Sequence, residues 1–237
     1  MLNIKNFIGC LLLVGSFAPS LVYGEDMQAL KQQYARPSEV PFPEENPYSK
    51  EKANLGKMLF FDPRLSVNNN ISCATCHNPS FAWEDALPTS IGADNTHLHR
   101  HTPTILNLAW SDKLYWDGRA RSLQIQAFGP LQTKEEMGES SEALVAELKL
   151  IEGYKRLFED VFPDEGISFE NIGYAIATYE RTIVSAEAPF DLWISGDEGA
   201  ISAAAKRGFK LFTGKAGCSN CHSGWNFTDW GMYDVGM

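Results

Sequence analysis

Apolar side chains recur every three to four residues in six segments of the chain, the spacing that places them on one face of an α-helix. These segments cover residues 50–61, 122–128, 141–151, 154–162, 169–184 and 202–212. Alternating apolar and polar positions, which would indicate strands, are scarce. Residues 78–117 lack periodicity and are rich in His, Asn, Asp and Pro, which predicts a long loop. The pattern therefore predicts a mostly α fold.

The first 24 residues have the pattern of an export signal. Lys5 precedes an apolar run over residues 7–18, which is too short to span a bilayer. Val22 and Gly24 stand at positions −3 and −1 before a cleavage point at Glu25. A lipid-modified Cys10 is the alternative, but this cysteine lies inside the apolar run rather than after it. We predict a signal peptide over residues 1–24, a periplasmic location, and no stable membrane insertion after cleavage.

The composition is that of a folded, acidic protein. Its 237 residues include 30 acidic and 20 basic side chains, for a formal net charge of −10. This excess argues against nucleic acid as a partner, because the phosphate backbone would be repelled. It favours a basic partner drawn in by long-range electrostatics. The length is sufficient for one or two domains.

The four cysteines of the mature sequence stand in two C-x-x-C-H motifs. Disulfides are the general expectation in an oxidising compartment, and four thiolates could alternatively hold zinc. Neither explains why a histidine follows each second cysteine. The pentapeptide is typical of covalent c-type haem attachment, in which both thiols bond to the porphyrin and the histidine ligates iron. We predict two covalently bound c-type haems, held by Cys73, Cys76 and His77 and by Cys218, Cys221 and His222.

The two motifs are far enough apart to belong to separate domains. Cys73 and Cys218 are separated by 145 positions, which suits one haem per domain. A weak repeat supports duplication, because G-x-x-L-F precedes each motif, starting at Gly56 and at Gly208. Glycine would permit close packing there, and the Leu-Phe pair could cover a haem edge. Two ordinary amphipathic helices are the alternative.

Several longer motifs resemble those of one bacterial family, the dihaem cytochrome c peroxidases, which includes the MauG proteins. The resemblance runs from about Leu55 to the end of the chain and preserves the order and spacing of the motifs. It rests on residues 59–66, 72–79, 102–107, 116–120, 136–137, 189–191 and 214–218. The resemblance implies a peroxidatic haem domain over residues 25–186. It also implies an electron-transfer haem domain over residues 187–237.

The same resemblance implies roles for individual residues. His77 would be the proximal ligand of the peroxidatic haem, and His222 that of the electron-transfer haem. Trp116 matches a tryptophan between the two haems, although on the sequence alone it reads as a core aromatic. Glu136 matches a distal glutamate that moves protons during O–O cleavage. The spacing from Thr133 to Glu136 equally suits a capping box at a helix start.

Two positions depart from the family pattern. Ala93 stands where peroxidases that need reductive activation have a histidine ligand, so an open haem is expected. His97, His99 and His101 could replace that ligand, or they could be solvated loop residues. His101 also occupies the position of a calcium-binding asparagine. Imidazole is a poor ligand for a hard cation, which argues against calcium.

The third departure lies at the end of the sequence, 15 residues after His222. Relatives continue and supply the second haem's sixth ligand, methionine in typical peroxidases and tyrosine in MauG. Met232, Tyr233 and Met237 fall in the stretch that precedes that ligand in relatives. We therefore expect a fragment or a truncated product, with the second haem domain incomplete.

The resemblance implies a periplasmic peroxidase that reduces hydrogen peroxide with electrons from a small cytochrome c or cupredoxin. Catalysis would depend on Glu136 and Trp116. One alternative is a MauG-type enzyme that oxidises a partner protein. A non-catalytic dihaem electron carrier and an inactive remnant are the others.

Overall fold

A computed structural model describes residues 27–236, and this part of the chain is helical without a sheet. The predicted signal peptide and Met237 lie outside the described residues. The α-helices are α1 (Met27–Gln33), α2 (Lys50–Phe60), α3 (Cys73–Cys76), α4 (Leu123–Gln132), α5 (Ser141–Leu148), α6 (Glu152–Val161), α7 (Phe169–Arg181), α8 (Pro189–Ile194) and α9 (Ala203–Thr213). Short 3₁₀ turns cover Pro63–Leu65, Pro79–Phe81, Leu108–Trp110 and Cys218–Asn220. The mostly α prediction is confirmed, and between residues 27 and 236 no helix has the length and apolarity needed to cross a membrane.

Serine side chains start five of the six helices that the hydrophobic pattern predicts. In each case the hydroxyl accepts a hydrogen bond from the backbone N–H three residues later, which satisfies one of the free donors of the first turn. The five residues are Ser49, Ser122, Ser140, Ser168 and Ser202. The sixth helix, α6, begins directly after α5 without a side-chain cap. Capping therefore explains why the helices start where the apolar pattern starts.

The main hydrophobic core lies where α2 crosses α7. Leu55 and Leu59 of α2 are buried in the same cluster as Ile172 and Ile176 of α7. Gly56 makes this crossing possible, because a β-carbon there would lie 1.8 Å from the carbonyl oxygen of Ala175. The close packing predicted at the first G-x-x-L-F segment is therefore confirmed.

The second G-x-x-L-F segment has different surroundings. A β-carbon added to Gly208 in α9 would meet no described atom within 4 Å. Leu211 is 55% exposed, whereas the equivalent Leu59 is fully buried. Within residues 27–236 no atom packs closely against this face of α9, so the structure does not show at this segment the close packing seen at the first.

A second, smaller core joins the two ends of the described chain. Leu30 and Tyr34, in and just after α1, pack with Trp193 and Ile194 of α8 and with Phe209 of α9. The buried Lys31 ammonium donates to the Trp193 carbonyl at 3.0 Å and pairs with the Glu198 carboxylate at 2.5 Å. The N-terminal helix thus belongs, by its contacts, with the helices around the second motif.

The predicted loop over residues 78–117 is confirmed as irregular backbone with two 3₁₀ turns. Non-glycine residues with positive φ recur along it, among them Trp83, Asn95, Asn107 and Tyr115. Such conformations are uncommon and persist where surrounding contacts fix them. The loop therefore has a defined backbone conformation, and it passes close to both C-x-x-C-H motifs.

Candidate functional site

The first C-x-x-C-H motif is folded into a single helical turn. Ser72 precedes α3, and its backbone N–H donates to the Thr75 hydroxyl at 2.9 Å. The His77 N–H donates to the Cys73 carbonyl at 2.8 Å and closes the turn. Burial raises the pKa of both thiols, that of Cys76 to about 11. One turn of helix therefore brings two protonated, free thiols next to a histidine.

His77 has the hydrogen bonding expected of an iron ligand. Its Nδ1 atom lies 3.2 Å from the carbonyl oxygen of Trp83, which can only accept. With the proton on Nδ1, the Nε2 lone pair can ligate a metal. Burial lowers the pKa of His77 and favours the neutral imidazole. Neutral imidazole is the form that ligates metals.

The second motif repeats this arrangement with a tighter turn. Gly217 adopts a left-handed conformation before the 3₁₀ turn Cys218–Asn220, and the His222 N–H donates to the Cys218 carbonyl at 3.0 Å. His222 Nδ1 lies 3.2 Å from the Phe227 carbonyl oxygen, which leaves Nε2 available. Both motifs thus present two free thiols and an oriented imidazole, the donor set that c-type haem requires.

The two alternatives for the cysteines do not fit the described residues. All four thiols are free, so no disulfide joins them. A zinc site would need the thiolates to converge within a few ångströms. Between residues 27 and 236 the single group of three or more potential metal-ligating side chains contains no cysteine.

Glu136 lies in a turn after α4 rather than at the start of a helix. Thr133 ends α4, and its N–H donates to the Gly129 carbonyl at 2.8 Å. The capping-box alternative is therefore wrong, because the helix lies before Thr133 and not after it. Burial raises the pKa of the half-buried Glu136 carboxyl, and nearby Arg119 partly opposes this.

Ala93 lies directly beside Glu136. Its N–H donates to the Glu136 carbonyl at 2.8 Å, and its side chain is only 1% exposed. The Ala93 carbonyl accepts from the side-chain amides of Asn68 and Asn70 at 3.1 and 2.8 Å. The fold thus joins two positions, 43 residues apart in the sequence, that the resemblance assigns to the distal side of one haem.

The three loop histidines have separate surroundings. His97 and His99 are exposed. Both ring nitrogens of His101 have partners, because Nδ1 lies 2.8 Å from the Leu87 carbonyl and Nε2 lies 3.1 Å from the Glu84 carboxylate. The His101 imidazole is therefore already engaged by the loop itself.

Trp116 is a surface residue in the described chain. Its side chain is 56% exposed, and its indole N–H donates to the His101 carbonyl at 2.8 Å. The interpretation of Trp116 as a core aromatic is therefore wrong. Its neighbour Tyr115 is the packed ring, with its hydroxyl donating to the Gln126 carbonyl at 2.8 Å.

Contacts between the loop and the second motif involve residues that the sequence pattern did not reveal. The Trp110 and Trp225 rings meet edge to face at 4.8 Å between centroids. The Asn107 amide donates to the Asn226 side chain at 2.8 Å. In the sequence, the single indication of these contacts is that Trp225 stands three residues after His222. These contacts attach the second motif to the loop that also carries Trp116.

Comparison with known proteins agrees with these features. Residues 50–199 match the family model described as di-haem cytochrome c peroxidase. The methylamine utilization protein MauG of Methylorubrum extorquens is 51% identical over 214 residues, 90% of this chain and 61% of that protein. The cytochrome c551 peroxidase of Pseudomonas aeruginosa is 38% identical over 234 residues, 97% of this chain and 67% of that protein. A solved MauG-like protein associated with microbial copper homeostasis superimposes with a TM-score of 0.73 at 32% identity, covering 84% of this chain and 61% of that one.

A helical fold with two oriented C-x-x-C-H motifs defines the class of dihaem c-type proteins. The chain belongs to the di-haem cytochrome c peroxidase family, whose members are oxidoreductases that carry two c-type haems. It spans about 61% of the length of the MauG proteins that it matches.

Proposed function

We propose that this protein is a periplasmic dihaem peroxidase that reduces hydrogen peroxide to two water molecules with two electrons and two protons. The observation that carries the proposal is the backbone hydrogen bond between Ala93 and Glu136, which holds a residue with a half-buried carboxyl group next to a position that has no competing ligand. Family membership supports the class of reaction.

Each haem would be held by one motif, through thioether bonds to its two cysteines and a bond from histidine Nε2 to iron. These are Cys73, Cys76 and His77 in the first motif and Cys218, Cys221 and His222 in the second. When bound, the haems supply the peroxide-binding iron and the redox equivalents. The chain divides as residues 25–186 and 187–237, and α1 packs with the second unit.

Glu136 would accept a proton from one peroxide oxygen and return it to the other. Burial raises the pKa of this carboxyl, so its protonated form persists at higher pH than for an exposed glutamate. A group that must both accept and release a proton works best with a pKa near the operating pH. The opposing effect of Arg119 keeps the ionised form accessible.

Ala93 would keep the distal side of the first haem open. A methyl side chain cannot ligate iron, and the two asparagine amides hold its backbone in place. Trp116 would lie on the electron path between the haems, as the resemblance implies, with its exposed ring anchored by the indole N–H at the His101 carbonyl. Electrons would come from a small basic cytochrome or cupredoxin attracted by the net charge of −10.

The decisive experiment is peroxide reduction by the haem-loaded chain and its Glu136→Gln variant. Loss of the proton-transferring group should slow the step about 10²- to 10⁴-fold. Glu135→Gln is the matched control, because Glu135 is the adjacent exposed glutamate. Equal rates in both variants would exclude Glu136 from proton transfer. A fully low-spin oxidised protein would contradict the open haem and favour an electron carrier.

A second candidate is a MauG-type oxidation of a partner protein, which the 51% identity to MauG favours. Here the two electrons that reduce peroxide would come from a side chain of the partner protein, which is thereby oxidised, and not from a small redox protein. Peroxide turnover that requires a reduced cytochrome supports the first candidate. Turnover that instead oxidises an added protein supports the second.

A further inference from the structure

Three side chains of the long loop form a cluster beside the first haem motif, next to the turn in which the Asn78 N–H donates to the Glu84 carbonyl. One ligand atom from each of Glu84, Asp85 and His101 lies within 4.8 Å of the others. No other such group of three occurs among residues 27–236. We propose that this cluster binds one divalent transition-metal ion, with Zn²⁺ as its representative.

The His101 ring is oriented as metal-binding imidazoles are. Nδ1 lies 2.8 Å from the Leu87 carbonyl oxygen, which fixes the proton on Nδ1. The lone pair of Nε2 then points toward the Glu84 carboxylate at 3.1 Å. Two acceptors at this distance repel each other unless a cation or a second proton lies between them.

Asp85 adds an acceptor that the protein leaves unsatisfied. Its Oδ1 atom accepts from the Leu87 N–H at 3.1 Å. Its Oδ2 atom is buried and has no hydrogen-bond partner. A buried acceptor without a partner carries a desolvation penalty, and native proteins keep few of them. A bound cation would satisfy Oδ2 and remove the repulsion between His101 and Glu84.

The backbone holds these residues in place before any ion binds. The Asn78 N–H donates to the Glu84 carbonyl at 3.1 Å, and this contact closes the turn that carries both carboxylates. The nearest basic residue in sequence, Arg100, faces Asp117 at 3.8 Å rather than the cluster. Two carboxylates therefore meet one imidazole without a counter-charge from Arg100.

The donor set selects the class of ion. One imidazole and two carboxylates suit Zn²⁺ and related transition metals, with further positions open to water. Calcium prefers six to eight oxygen ligands, so the set disfavours it. The His101 carbonyl also accepts the Trp116 indole N–H at 2.8 Å, which ties the cluster to that ring.

The test is Zn²⁺ titration of the haem-loaded, chelator-treated chain by calorimetry. We expect one equivalent bound, with affinity reduced at least tenfold in His101→Asn and in Asp85→Asn. The exposed His99 provides the control variant, His99→Asn, which should bind as the parent does. Haem absorbance confirms that each variant is folded. No uptake by the parent, or equal uptake by all variants, would overturn the proposal and leave an imidazolium–carboxylate pair.

A second readout identifies the ligand without relying on affinity. Cu²⁺ added in place of Zn²⁺ should show coupling to one imidazole nitrogen by electron paramagnetic resonance. That coupling should vanish in His101→Asn and persist in His99→Asn. Calcium competing at concentrations similar to zinc would refute the assigned ion class. None of these readouts depends on peroxidase activity, so the proposed function and the metal site can fail separately.

Discussion

Gly56 is the position where the fold is most sensitive to one added methyl group. In Gly56→Ala the new β-carbon would lie 1.8 Å from the Ala175 carbonyl oxygen and 2.9 Å from the Tyr179 β-carbon. Neither atom can rotate away, because the Ala175 oxygen belongs to the backbone of α7 and the Tyr179 β-carbon is bonded directly to that backbone. The substitution must therefore push α2 away from α7.

The size of the effect follows from the required movement. Real β-carbons essentially never approach other atoms closer than 3.0 Å, so α2 and α7 must separate by about 1.2 Å near residue 56. A gap of about 1 Å forfeits up to roughly half of the dispersion energy of each contact across it. Overpacking typically costs about 1–3 kcal/mol. Because this crossing belongs to the main core, we expect about 3 kcal/mol.

The chain provides its own control in Gly208→Ala. This glycine occupies the equivalent place in the repeat, and an added β-carbon meets no described atom within 4 Å. Without a clash, only helix propensity remains, which should stabilise α9 by about 0.5–1 kcal/mol. The two variants should therefore differ by about 3.5–4 kcal/mol.

Chemical denaturation of the haem-loaded variants, followed by far-UV circular dichroism, measures this difference. The denaturant slopes should agree with that of the parent, so that midpoints report stability. Equal midpoints for the two glycine variants would refute the close crossing of α2 and α7.

Three further substitutions test other parts of the structure. Trp116→Phe should slow electron transfer between the haems, measured by stopped-flow absorbance, yet change the free energy of unfolding by less than about 0.5 kcal/mol because the ring is exposed. Tyr154→Phe should lower the free energy of unfolding, measured by chemical denaturation, by about 1–3 kcal/mol, because the buried Asp62 carboxylate loses the hydroxyl that donates to it at 2.6 Å. The control variant Tyr48→Phe, at an exposed tyrosine, should leave the free energy of unfolding unchanged. Burial raises the pKa of Glu180 to about 8, so its contribution to stability is complete below the pKa of the unfolded chain and is lost as pH rises through 8. Glu180→Gln should therefore flatten the loss of stability between about pH 4.5 and pH 8, roughly 1.4 kcal/mol per pH unit, and an unchanged pH profile over that range would contradict the burial of this carboxyl.

The hydrophobic pattern was sufficient for the long helices and insufficient for the short ones. The helices from α4 to α7, for example, have enough turns for an apolar face to recur. The helices α1, α3 and α8 have seven, four and six residues, too few for a period to stand out. They form because of tertiary contacts, such as those of Leu30 with Trp193. Local periodicity cannot reveal a helix that long-range packing stabilises.

The candidate site shows a similar division. The C-x-x-C-H spacing predicts both the turn and the adjacent histidine, because all of the relevant residues lie within five positions. The contact of Ala93 with Glu136 depends on how the loop closes onto the turn after α4. The cluster of His101 with Glu84 depends in the same way on closure within the loop. Sequence spacing does not predict such contacts, because they depend on the path of an irregular backbone.

The exposure of Trp116 follows from the anchoring of its neighbour. Tyr115 has a φ of 66°, and its hydroxyl is held by the Gln126 carbonyl at 2.8 Å. This position is available because residue 129 is glycine, where a β-carbon would lie 2.0 Å from the Tyr115 hydroxyl. Arg119 covers the other part of the ring at 3.6 Å from its centroid. With Tyr115 fixed inside, the next residue projects outward, and its indole N–H meets the His101 carbonyl. A packed tyrosine thus sets the position of the exposed tryptophan to which we assign electron transfer.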